Sequence, residues 1–259
     1  YQDSCIELYN LTLNMLLEDE EGDSFKILKD FMQQKSHTLT AVDAKYIYMY
    51  AINFCARRIR KGERNFAQEA LDIYLDGIEK EVLYDEGVLS PWAYKNIINL
   101  ALGLGHYDWI EDFIHTYSSK LALEFQENAL HFNLANLYFY KKDYDKSIFH
   151  LSQTQFTDIY YNLDSKVILL RIYYLLNEDD ALLSLLASFS LFLRRNKSLS
   201  KNVKETYLNF CGVLSKITRK NPKKLNQIRQ EIQETRLLIG KSWLMEILNE
   251  WEQKILLTA

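Results

Sequence analysis

Helical hairpins that recur along the chain constrain its fold more than any other feature of the sequence. The clearest hairpin lies at 128–155, where the tight turn Lys141-Lys142-Asp143 joins two short helical segments. Large and small residues follow one another on it at helical spacing: Leu134, Ala135, Tyr138, Tyr144, Ser147 and Leu151. Similar hairpins recur at roughly 35-residue intervals, which is the period of helical solenoids. Such folds usually present surfaces for binding rather than a catalytic pocket.

The composition favours long helices with short connections. The 259 residues include only two prolines and eight glycines, and 48% of them are apolar. Residues that break helices are therefore scarce. No run of about 18 or more apolar residues occurs, so we expect no membrane span. Because the chain opens on Tyr1 without an initiator Met, we expect it to be a fragment of a longer protein.

The helical periodicity predicts an all-α fold, a right-handed superhelix of about six hairpins closed by a C-terminal capping helix. We treat residues 1–259 as a single repeat domain. Its best-supported repeats lie at 40–195, and 196–259 hold a basic helical pair and the cap. The predicted helices span 5–17, 23–35, 40–61, 65–82, 91–104, 107–122, 125–140, 144–156, 163–176, 179–194, 200–219, 222–237 and 241–257.

The last predicted helix has one strongly apolar face, made by Trp243, Leu244, Ile247, Leu248, Trp251 and Ile255. Its other face is polar, as a terminal capping helix requires. We expect the apolar face to close the helical stack. Docking of another protein on its aromatic side chains is the alternative.

The three cysteines are far apart in sequence and form no CxxC or Cys/His ligand spacing. We expect Cys5, Cys55 and Cys211 to be free thiols in a reducing compartment, and we therefore assign the protein to the cytoplasm.

The hairpin pattern resembles the tetratricopeptide repeat. In that family a large residue, a small residue and an aromatic mark the first helix, and an aromatic and a small residue mark the second. Leu134, Ala135, Tyr138, Tyr144 and Ser147 fit this pattern. Looser matches occur in three other hairpins, at Ile97, Ile98, Tyr107 and Ile110, at Phe66 and Ala70, and at Leu169, Leu170, Tyr173 and Ala181. The resemblance covers 40–195, and related helical solenoids remain open as alternatives.

The resemblance implies a peptide-binding groove lined by the first helix of each hairpin. Counting along those helices places six residues at the two groove positions: Lys95 and Asn99, Phe132 and Asn136, and Val167 and Arg171. Lys95, Asn99, Asn136 and Arg171 look like the clamp with which some family members hold a peptide C-terminal carboxylate. Val167 departs from that clamp, which has a second Lys there. The alternative is a solvated polar face. We expect neither Lys95 nor Arg171 to be needed in the core.

Tyrosine is abundant, with 18 copies. Most of these rings are expected to pack between helices, and the others to line a binding surface, where tyrosine is favoured as an anchor. We include Tyr140 among the candidate partner-binding residues.

Positive charge is concentrated in the segment 194–229. It holds eleven Lys or Arg and one Glu, a net charge of +10, whereas the whole chain carries −4. Three interpretations remain open: the segment forms a solvated basic face, it binds a protein partner, or it binds a nucleic acid or an anionic surface.

No catalytic or cofactor motif appears. The five histidines form no HExxH or other paired ligand pattern, and no glycine-rich phosphate loop or GxSxG is present. We therefore predict no catalytic residue, cofactor or metal site. The predicted function is that of a non-catalytic protein–protein interaction scaffold. The alternatives are nucleic-acid association through 194–229 and a hydrolase or transferase with a site in the groove.

Overall fold

A computed structural model describes residues 6, 9, 10, 12, 13, 23–35, 39–154 and 159–258. Over these residues the fold is all-α, with helices throughout and a single two-stranded hairpin. The chain forms two compact units, Tyr1–Thr154 (unit 1) and Gln155–Ala259 (unit 2). No helix among the described residues is long and apolar enough to cross a membrane.

Unit 1 contains seven of the described helices and the β-hairpin. They are α1 (Asp23–Lys35), α2 (Ala41–Arg60), α3 (Asn65–Glu79), β1 (Tyr84–Asp85), β2 (Val88–Leu89), α4 (Pro91–Leu104), α5 (Tyr107–Ser118), α6 (Leu123–Tyr140) and α7 (Tyr144–Gln153). The predicted helix at 5–17 lies mostly outside the described residues. Those of its residues that are described, 6, 9, 10, 12 and 13, are helical.

Unit 2 contains the remaining described helices. They are α8 (Ile159–Leu176), α9 (Asp179–Arg195), α10 (Lys201–Thr218), a 3-10 turn (Pro222–Lys224), α11 (Leu225–Glu234) and α12 (Lys241–Thr258). The predicted helices of both units are confirmed, and most helix ends lie within a few residues of the predicted positions.

Local signals explain where the helices begin and end. Thr40 precedes α2 and accepts a hydrogen bond from the backbone N–H of Asp43, and Asp143 does the same for Lys146 at the start of α7. Pro91 occupies the first turn of α4, and Gly105 ends that helix in the left-handed region at a φ of 81°. Pro222 breaks the helical segment after α10, as predicted.

Some helix ends differ from the prediction: α5 ends at Ser118 rather than at residue 122, α8 begins at Ile159 rather than at residue 163, and α3 ends at Glu79 rather than at residue 82. Glu81 adopts a positive φ of 56°, and the chain then turns into β1 and β2, which pair Tyr84 with Leu89. The N–H of Leu83 returns to the Gly77 carbonyl at 3.2 Å. A Cβ on Gly77 would lie 3.0 Å from the Leu83 side chain, so this glycine allows the close return.

The α6–α7 hairpin packs as its sequence predicts. Ala135 and Ser147 are fully buried, and the Ser147 hydroxyl donates to the Ala135 carbonyl at 2.7 Å. Leu134 and Leu151 are buried beside them. Small residues therefore lie at the closest approach of the two helices, with leucines on either side.

In unit 2 the apolar face of α12 completes the core. Leu244, Ile247, Leu248 and Trp251 are buried among residues of α8, α9, α10 and α11. The opposite face, with Glu246, Asn249, Glu250 and Lys254, is exposed. The prediction that the apolar face of α12 packs within the chain is confirmed.

The two described cysteines, Cys55 and Cys211, are free and buried, as predicted. Burial raises the pKa of the Cys55 thiol to about 12 and that of Cys211 to about 11, so both stay protonated at neutral pH. Cys5 lies outside the described residues.

The packing of Ala135 leads to a stability prediction. Ala135→Leu should lower the free energy of unfolding by about 1–3 kcal/mol, because the added atoms have no room between α6 and α7. Chemical denaturation measures this change. Ala187→Leu is the matched control, since Ala187 is exposed on α9, and its effect should stay within about 0.5 kcal/mol. Equal stability of the two variants would contradict the packing.

Candidate binding surface

The first helices of two neighbouring hairpins, α4 and α6, lie side by side in unit 1. The ammonium of Lys95 lies 5.8 Å from the centroid of the Phe132 ring, and the Asn136 amide reaches the Asn99 side-chain oxygen at 3.5 Å. The Asn99–Asn136 pair lies four residues further along both helices than the Lys95–Phe132 pair, so α4 and α6 run parallel. Four of the predicted site residues are therefore adjacent, and we call Lys95, Asn99, Phe132 and Asn136 the α4–α6 surface.

The α4–α6 surface combines a cation, two amides and an aromatic ring. Asn99 is exposed, Lys95 and Asn136 are half-buried, and Phe132 is buried beneath them. The 3.5 Å between the two amides exceeds the 2.7–3.2 Å typical of an N–H···O hydrogen bond. Because that bond is weak, a ligand with stronger acceptors can compete for the amide donors.

Two aromatic side chains extend this surface at its ends. Tyr140 follows Asn136 by one helical turn and is exposed, with its ring 6.3 Å from that of Tyr107. Trp92 precedes Lys95 by three residues and Asn99 by seven, so it lies on the same face of α4. Its side chain is 72% exposed. Sequence reasoning missed Trp92, although its helical spacing from Lys95 and Asn99 was visible.

Val167 belongs to the core of unit 2, and the half-buried Arg171 packs against that core. Val167 is buried, and the Arg171 guanidinium lies 5.2 Å from the Trp243 ring centroid and 5.9 Å from that of Phe210. Gly240 passes so close that a Cβ there would clash with this guanidinium. The Arg171 guanidinium therefore takes part in the packing of unit 2, a role that the sequence did not suggest.

The basic segment 194–229 divides into two groups at opposite ends of α10. The first, Arg194, Arg195, Lys197, Lys201 and Lys204, surrounds its start, and the second, Arg219, Lys220, Lys223 and Lys224, follows its end. The 18 residues of α10 separate them by about 27 Å at ~1.5 Å per residue. Within the described residues, Lys216 and Arg229 are the members of this segment that form salt bridges, with Glu231 and Glu252.

A polar network joins α5 to the end of α6. Glu111 accepts hydrogen bonds from the Tyr138 hydroxyl and the Lys141 ammonium, both at 2.6 Å. The Lys141 bond, followed by the Tyr138 bond, lowers the pKa of Glu111. Glu111 in turn raises the pKa of Tyr138 to about 12. Glu111 is therefore ionised and Tyr138 protonated at neutral pH, and the two hydrogen bonds connect α5 to the C-terminal end of α6.

The described residues contain no cluster of three or more His, Cys, Asp or Glu side chains that could hold a metal ion. Two clefts lie away from the α4–α6 surface. One has a volume of about 700 Å³ and is lined by Val42, Lys45 and Tyr84, and the other has a volume of about 380 Å³ and is lined by Tyr174 and Trp251. One pairing of histidines, His131 with His150, does occur although the sequence pattern gave no sign of it.

Comparison of the chain with protein-family models, curated proteins and solved structures finds no match.

The position of Arg171 leads to a second prediction. Arg171→Ala should lower the free energy of unfolding by about 1–2 kcal/mol, because two partly desolvated cation–π contacts are lost. Arg194→Ala is the control, since Arg194 is exposed at the end of α9. Thermal unfolding of both variants measures the difference. No shift in the melting temperature for Arg171→Ala would mean that its guanidinium does not stabilise unit 2.

Proposed function

We propose that the protein is a non-catalytic interaction module that binds a peptide segment of a protein partner on the α4–α6 surface. The observation that carries the proposal is the parallel register of α4 and α6, which aligns Lys95 with Phe132 and Asn99 with Asn136. Together with Trp92 and Tyr140, these residues form a polar strip with an exposed aromatic at each end.

The chemistry of the strip favours a ligand that carries a carboxylate, either a peptide C-terminus or an acidic side chain. Lys95 supplies the positive charge and the amides of Asn99 and Asn136 supply directed N–H donors. Trp92 and Tyr140 offer aromatic faces to apolar side chains of the ligand, as is common at the centre of protein interfaces. Arg171 stays outside this proposal because its guanidinium packs in unit 2.

The surface needs little rearrangement to bind. Phe132 is buried under the strip, and the α6–α7 hairpin behind it is closed by the Ser147–Ala135 hydrogen bond. A preformed site reduces the ordering entropy that binding costs. Backbone positions on two packed helices are also more precisely held than positions on loops.

The same architecture supports the wider proposal of a divergent tetratricopeptide-like array, with neighbouring first helices forming an inner layer. The two buried, free thiols at Cys55 and Cys211 favour a reducing compartment, and we propose a cytoplasmic location on that basis.

A peptide library tests the proposal directly. One set of immobilised peptides ends in a free carboxylate, and a second set of the same sequences ends in an amide. We expect selective binding by members of the free-acid set, or by acidic members of both sets. Lys95→Ala should weaken that binding by about 1.5–3 kcal/mol, the range for hydrogen bonds to charged groups.

Lys26→Ala is the matched control, since Lys26 is exposed on α1 and should bind as the wild type does. Equal affinities for Lys95→Ala and wild type, with both variants folded, would rule out the α4–α6 surface as the carboxylate site.

A second candidate function rests on the two basic groups of unit 2. Apart from the half-buried Lys204, their nine side chains are exposed, and no described carboxylate pairs with them. Exposed cations without ion pairs favour a polyanion such as single-stranded nucleic acid, whose phosphates release counterions on binding.

The salt dependence of binding to a mixed-sequence single-stranded RNA tests this second candidate. Arg194→Ala combined with Arg195→Ala should reduce the slope of log affinity against log salt by roughly 2, about one per lost phosphate contact. Lys26→Ala should leave the slope unchanged. A salt-independent affinity, or an unchanged slope in the double variant, would exclude the first basic group from nucleic-acid binding.

A further inference from the structure

Two histidines link the helices of the best-formed hairpin. His131 on α6 and His150 on α7 are both half-buried, and their Nδ1 atoms lie 3.0 Å apart. The ring centroids are 5.3 Å apart. The difference between these two distances is about twice the distance from the centre of an imidazole ring to one of its atoms, as expected when both nitrogens lie between the two ring centres. The two nitrogens therefore lie close to the line that joins the rings and point at each other.

This alignment distinguishes a shared proton from a shared metal. Lone pairs that chelate one metal must converge at an angle, which would bring the ring centroids closer together for the same N···N distance. Lone pairs that face each other along one line fit a straight N–H···N hydrogen bond. One Nδ1 donates and the other accepts, so at least one of the rings must be neutral.

Successive protonation acts on this pair in two different ways. A first proton taken up by the donor ring turns the contact into a charged N–H···N bond, which strengthens it. A second proton must occupy the accepting Nδ1, because the other nitrogen of that ring already carries a hydrogen. Two hydrogens then face each other between two positive rings, and the hydrogen bond is lost.

The surroundings of His150 oppose that second proton. Burial is the main cause that lowers the pKa of His150, followed by the positive charge of His131 and then of His115 on α5. Lys146 on α7 acts in the same direction, and Glu111 on α5 acts against it. The Tyr138 ring on α6 stacks on His150 at 5.4 Å and places no charge on it while its hydroxyl stays protonated.

We propose that the His131–His150 hydrogen bond is an acid-sensitive link between α6 and α7, closed while either ring is neutral and broken when both are protonated. When α7 opens, the accepting Nδ1 becomes available to a proton at the ordinary pKa of histidine. The charged bond of the singly protonated pair makes the link strongest near that ordinary pKa, and the stabilisation declines as the pH falls below it towards the lower value of the closed hairpin.

Hydrogen–deuterium exchange of the intact chain at about pH 6.5 and about pH 5.0, corrected for intrinsic exchange, tests the proposal in the range where the second proton is taken up. The opening equilibrium of amides in 144–153 should rise at the lower pH, by at most about tenfold per pH unit for one proton. His150→Phe keeps a ring against Tyr138 and should abolish this rise. His106→Phe, which removes a half-buried histidine just before α5 and outside the pair, should retain it.

The same rise in His150→Phe as in the wild type, or no rise in the wild type, would overturn the proposal. A nuclear magnetic resonance titration of the histidine Cε1–Hε1 signals in the wild type gives the answer even if the variant fails to fold. It should show His131 and His150 titrating in two linked steps, and two independent single-step curves would equally overturn the proposal.

Discussion

The close approach of α6 and α7 is the contact on which the α4–α6 surface depends. Ala135 and Ser147 have side chains small enough for the helices to meet, and the Ser147 hydroxyl satisfies a second acceptor site on the Ala135 carbonyl. This contact fixes the rotation of α6 about its own axis. One face of the helix then meets α7, and the adjacent face presents Phe132 and Asn136 to α4. A rotation of one residue would separate Lys95 from Phe132 and Asn99 from Asn136 together.

The two faces of α6 therefore perform different tasks. The face towards α7 provides packing and the histidine pair, and the face towards α4 provides the polar strip. Glu111, Tyr138 and Lys141 brace the end of the helix between them. In unit 2 the corresponding contacts serve packing alone. The helix α12 covers the core, and Arg171 stacks on Trp243 and Phe210. Residues at equivalent predicted groove positions thus form a surface in unit 1, whereas Arg171 forms a packing contact in unit 2.

The sequence predicted what depends on local chemistry. The turn Lys141-Lys142-Asp143 between α6 and α7 was predicted, and the register of α6–α7 followed from the spacing of its small residues. The side-by-side position of Lys95, Asn99, Phe132 and Asn136 also emerged, because it repeats with the hairpins. The stacking of Arg171, the return of Leu83 onto Gly77 and the pairing of His131 with His150 were not predictable. Each joins residues whose separation in sequence follows no local period, so only the packed structure brings them together.

The central claim is that a ligand carboxylate is held between α4 and α6. A crystal structure of the whole chain with a bound free-acid peptide tests it most directly. The account predicts a ligand carboxylate oxygen about 2.7–3.2 Å from Lys95 Nζ and from the Nδ2 of Asn99 or Asn136, as in ordinary hydrogen bonds. A peptide bound in either cleft, or along the basic groups beside α10, with the α4–α6 surface empty, would contradict it.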